Sequence, residues 1–134
     1  MRNWCEWLAD QLRPLVVPYP VYSTCNPVRE YNGEVLVEFN ENEYSTQTLL
    51  SGDEIRTHKL VVSCRSPTFD LSDQLIVGIK EILDGILIEE EKTGDLLSYC
   101  WDETGVTADV RGIVEGESFY GYSEFTITER VNYG

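Results

Sequence analysis

His58 is the only histidine of the chain. It stands beside Lys59 at the start of the strand-like run HKLVVSC. An imidazole can serve as general base for a Ser or Cys nucleophile, but no nucleophile motif accompanies this one. It therefore reads as an exposed strand histidine. Cys5, Cys25, Cys64 and Cys100 show no C-x-x-C spacing, which argues against a zinc or dithiol site. Cys64 is in phase with Leu60 and Val62, as a small core residue would be, and Cys5 falls on a helix-like stretch. Two disulfides are possible by count. The wide spacing and the absence of a secretion signal predict reduced thiols instead. Acids are so common that glycosidase-type carboxylate pairs cannot be singled out. DETG and SGDE do not match a calcium loop. No cofactor, metal or enzymatic activity is expected.

The strand-to-helix turn inside LVVSCRSPTFDLSDQLIVGIKEILDG is the remaining place for chemistry. It has neither a Gly-rich phosphate fingerprint nor a Gly-x-Ser-x-Gly elbow. Ser66, Asp70, Ser72 and Asp73 read as turn and cap residues. Asp70 or Ser72 is expected to cap the following helix, and Gly85 to end it.

The elements around these residues follow from periodicity. Asn3 to Arg13 reads as a helix, with Asn3 as cap, Glu6 at the capping-box position, and Trp4, Trp7, Leu8 and Leu12 as its apolar stripe. Pro14 stops it, and PLVVPYPVYSTCNP is extended. In GEVLVEF, Val35, Val37 and Phe39 face one way, Glu34 and Glu38 the other. Leu60, Val62 and Cys64 share a face of the second strand. Asn40 to Thr57 is too long for a tight turn and too polar for core, and is expected as a projecting hairpin arm. Leu71, Leu75, Ile79, Ile82, Leu83 and Ile86 form one face of the second helix. LLSYCWD and SFYGYSEFTITERV are strands, and in the latter Phe119, Phe125 and Ile127 alternate with Tyr120, Tyr122, Thr126 and Thr128. Glu103 to Glu117 has no clear pattern.

The order predicts a single α+β domain spanning residues 1–134. It has an N-terminal helix, a mainly antiparallel sheet of four to five strands, an amphipathic helix on one face, and the arm. Twenty-four acids against ten bases give a net charge of −14, spread along the chain. That charge argues against gripping nucleic-acid phosphates or an anionic membrane surface. MRNWCEWLADQL lacks the apolar run of a signal peptide, and no stretch approaches the ~20 apolar residues of a transmembrane helix.

The order and spacing of these elements resemble the tail terminator, or tail-to-head joining, proteins of tailed bacteriophages. The resemblance runs from the short helix through PLVVPYPVYSTCNP, EVLVEF, the arm, HKLVVSC and SDQLIVGIKEIL to the closing strands LLSYCWD and FYGYSEFTITER. It is a likeness of pattern along nearly the whole chain rather than of a diagnostic motif. It implies a virion structural protein, assembled in the host cytoplasm as a homo-oligomeric ring, usually a hexamer. Such a ring caps the tail tube, meets tube protein and head connector as partners, and passes DNA without binding it specifically. On that reading Tyr44, Thr46, Thr48, Leu50, Tyr120 and Tyr122 are interface candidates, and Glu89, Glu90 and Glu91 candidates for an acidic lumen. The rival is an acidic, dimeric type III secretion chaperone, and a small acid-dependent enzyme ranks third.

Overall fold

In a computed structural model the protein is described over residues 2–23, 35–94, 96–108 and 118–132. Two helices cover one face of a five-stranded sheet. The first, α1 (Trp4–Leu12), begins as the sequence predicts: Asn3 is extended and its side chain accepts a hydrogen bond from the Glu6 amide. Pro14 does not end the chain's helical course at once, because Arg13–Leu15 add a 3-10 turn. Strand β1 (Val21–Ser23) then runs parallel to β2 (Leu36–Thr48). A three-residue turn over 50–52 returns the chain into β3 (Glu54–Ser66), with Gly52 in the left-handed region at φ 90°. Helix α2 (Phe69–Thr93) follows, and then the hairpin β4 (Ser98–Ala108) and β5 (Phe119–Val131). The sheet order is β1-β2-β3-β5-β4, antiparallel except at β1.

Period-2 alternation explains the core. Val37 and Phe39 of β2, Leu60, Val62 and Cys64 of β3, and Phe125 and Ile127 of β5 all lie on the helix side. Leu8 and Leu12 of α1 and Ile76, Ile79, Leu83 and Leu87 of α2 close onto them. Leu75, Ile82 and Ile86 are only half-buried, because the stripe of α2 is centred slightly away from the face the sequence suggests.

Four details differ from expectation. Helix α2 runs on past Gly85 and ends at Gly94, whose φ of 87° is the left-handed cap conformation. Thr68, not Asp70 or Ser72, caps its start, accepting from the Leu71 amide at 3.2 Å. Ser72 is buried, and its hydroxyl lies 2.6 Å from that of Ser66 and 3.1 Å from the Phe119 carbonyl. It fastens the turn to β5 rather than capping. The hairpin over Asn40 to Thr57 is present but is not a detached arm: β3 pairs with β5 as far as Glu54 opposite Val131. It extends the sheet. Residues 103–108 complete β4, and the rest of the patternless stretch, 109–117, lies outside the described residues. Among the described residues no helix is long and apolar enough to cross a membrane.

Candidate functional site

Beyond the end of α1 the helix-side face of the sheet changes character. Along β3 the stripe Cys64, Val62, Leu60 continues as His58 and Arg56. Along β5 it passes from Phe125 and Ile127 to Glu129. His58 is therefore buried, 6% exposed, and not the exposed strand histidine the sequence suggests. Its Nδ1 lies 2.5 Å from Glu41 Oε1 and its Nε2 lies 2.7 Å from Glu129 Oε2. The Trp4 indole N–H donates to the same Glu129 oxygen at 2.5 Å. Because that oxygen already accepts from Trp4, and ionised carboxylates only accept, two N–H donors on the imidazole satisfy the geometry.

Electrostatics agree with that arrangement. Burial by itself would lower the His58 pKa, but hydrogen bonds and charge from Glu129 and Glu41 outweigh it and hold it above its ordinary 6.5. Burial likewise pushes Glu129 up, yet His58, Trp4 and the charge of Arg56 bring it below its ordinary 4.5. Tyr44 stacks obliquely on the His58 ring at 5.1 Å. Arg2 lies 4.6 Å from the Trp4 ring and 4.4 Å from the Trp7 ring, and pairs with Glu90 at 2.8 Å. Arg2, Asn3, Trp4, Glu41, Tyr44 and His58 line an open depression of about 330 Å³.

How Tyr44 meets His58 depends on an irregularity. The β2–β3 register shifts between Glu41 and Glu43, so Glu41 faces Leu60 and Tyr44 faces His58. Glu41 is already on the helix side, in phase with Val37 and Phe39, and the bulge brings Tyr44 to that side too, where strict alternation would separate them. His58 was placeable from its phase with Leu60 and Val62; its two acidic partners were not, since they come from other strands.

The interface candidates divide between two faces. Tyr44, Thr46 and Thr48 pair with His58, Arg56 and Glu54, so they share the helix side, and all three are exposed. Leu50 is fully exposed at the hairpin tip. Tyr120 and Tyr122 stack on each other at 5.7 Å on the opposite face, and the Arg65 guanidinium lies 5.5 Å from the Tyr120 ring. Glu38, expected to face solvent, is buried there and accepts from Arg65 at 2.7 Å. The lumen candidates Glu89, Glu90 and Glu91 lie in the last turns of α2; Glu89 meets Lys92 at 3.2 Å and Glu90 is held by Arg2.

The outer edge of β2 is the other distinctive feature. Strand β1 covers only Val37, Glu38 and Phe39. The Leu49 amide donates to the Asp53 carbonyl, and antiparallel pairs alternate between bonded and non-bonded. The backbone N–H and C=O groups of Tyr44, Thr46 and Thr48 therefore point outward, away from β3. Among the described residues no strand pairs with them. At the far side of the sheet β4 is also an edge among the described residues, with Glu103 directly opposite Glu124 of β5. Neither a protein-family model nor a curated protein matches this chain, so its site is known by geometry alone.

Proposed function

We propose that this chain is a ring-forming structural protein of the tail-terminator type. It would cap a tail tube, meet a head connector, and pass DNA through an opening that does not hold it. The observation that carries the reading is the outward backbone of Tyr44, Thr46 and Thr48, a ready template for a neighbouring chain. The sheet has a second edge at β4. Joining β2 of one copy to β4 of the next is a head-to-tail contact, and such contacts close into rings when the rotation closes.

Charge restrains that contact. Glu41 and Glu43 mark one edge, Asp102 and Glu103 the other, on a chain of net charge −14. Like charges oppose self-pairing until salt or a basic partner screens them. The same balance suits a DNA passage, because a wall that gripped phosphates would stall transit.

Sedimentation across protein and salt concentration, with electron microscopy of the concentrated sample, tests the proposal. Closed rings should form, favoured by salt. Thr46→Pro should abolish them while leaving the circular dichroism of the fold intact, because it removes an outward donor and no ladder hydrogen bond. A constant dimer would favour the chaperone-type reading and overturn this one. A monomer at every concentration and salt would overturn it too.

A further inference from the structure

We infer that His58 is a proton-operated clasp on the outer edge of the sheet, closed when the imidazole carries two protons and open at β2 when it carries one. The inference concerns the isolated chain and does not depend on ring formation.

The groups facing the ring come from three strands and from α1. Glu41 and Tyr44 belong to β2, Arg56 to β3 and Glu129 to β5, while Trp4 and the preceding Arg2 stand over them. Arg2 is itself neutralised by Glu90 of α2, and Arg56 by Glu54 at 2.9 Å. With two protons, the imidazolium donates to both carboxylates and carries the positive charge they require. The oblique Tyr44 ring favours the same cationic form.

Removing one proton breaks the symmetry. A neutral imidazole donates from one nitrogen only. Nε2 should keep its hydrogen, because Glu129 is buried and shares its accepting oxygen with Trp4. Nδ1 then turns a lone pair toward Glu41 Oε1 at 2.5 Å, where two acceptors repel. The Glu41 side chain is 37% exposed, so it can swing into water. It sits at the bulge that sets the register of Tyr44 to Thr48. The open form therefore keeps α1 in place through Trp4 and Glu129 and loosens only the outer half of β2.

Since His58 is the only histidine, its ring nitrogens can be followed by ¹⁵N NMR without ambiguity. Both should be protonated below pH 6.5 and titrate above it, ending as the Nε2–H tautomer. Amide exchange at Ser45 and Gln47, whose N–H groups face β3, corrected for its intrinsic pH dependence, should rise several-fold through the same midpoint, while α1 stays protected. In Glu41→Gln, the amide can accept from Nδ1–H or donate to the bare nitrogen. The midpoint should fall, and exchange at the edge should no longer follow it. A wild-type ring that titrates below 6.5, an Nδ1–H tautomer, edge exchange indifferent to the titration, or a Glu41→Gln variant that behaves as wild type would each overturn the clasp.

Discussion

The Ser72 carbonyl of α2 comes so close to Gly121 of β5 that a Cβ on Gly121 would stand 3.0 Å from it. The same Cβ would lie 3.0 Å from Cys64 Sγ and 3.3 Å from Ile76 Cβ. Helix and sheet meet there without room for one methyl group. Gly121→Ala should lower stability by about 1–3 kcal/mol, the cost of overpacking a core whose obstructing atom is backbone. Chemical denaturation measures it, and an unchanged midpoint would contradict the close approach.

The opposite change tests the same layer from the helix side. Leu83 and Ile79 are 0% and 1% exposed. Truncating either to Ala should cost ~2–5 kcal/mol, transfer and cavity terms together. Val77, exposed on the other side of α2, should tolerate Ala with a change within about 0.5 kcal/mol. Equal losses at Val77 and Leu83 would show that α2 is rotated from its described position.

Cap chemistry distinguishes scaffold from site at the turn before α2. Thr68→Ala should cost about 0.5–2 kcal/mol, because Thr68 supplies the accepting oxygen. Asp70 is exposed in the first turn, so Asp70→Asn loses only a favourable charge at the helix start, ~0.3–1 kcal/mol. A larger loss at Asp70 than at Thr68 in thermal melts would reverse the assignment.

Stability should also depend on pH from both sides of His58. Its folded pKa is raised, so its contribution is complete below 6.5 and is lost as pH rises through the folded value. Glu129 is lowered, so its contribution is complete above 4.5 and is lost as pH falls through its folded value. Urea midpoints should therefore be highest between those limits. The alkaline decline should be shallower in Glu41→Gln, and a wild-type midpoint still rising above pH 7 would contradict the sign.

Cysteine labelling follows burial. Cys5 and Cys64 are buried and Cys100 is exposed, and burial pushes the Cys64 thiol up to about 11. Alkylation of the native protein at neutral pH should modify Cys100 and spare Cys64. Under denaturing conditions without reductant, all four cysteines should label, as expected of a chain without disulfides. A mass short by two labels would reveal a disulfide.

The elements themselves were legible in the residues. Local rules act within a few positions, and they placed the Asn3 cap, the stripe of α1, Ile79 and Leu83 of the α2 stripe, and the alternation of Val37 and Phe39 and of Phe125 and Ile127. Helix length was less legible, because Gly85 tolerates a helix interior at modest cost when the turns around it are packed, and the stripe runs on to Leu87. What only the tertiary structure decided is where strands meet. His58 is in phase with Leu60 and Val62 yet reads by sequence as an exposed strand histidine; its burial between Glu41 and Glu129 depends on the register of the neighbouring strands β2 and β5. Glu38 likewise reads as a solvent-facing acid until Arg65 is brought diagonally across from it. A charge can be buried only where a partner from elsewhere in the chain satisfies it, and that partner lies 27 residues away for Glu38 and 71 for His58 and Glu129.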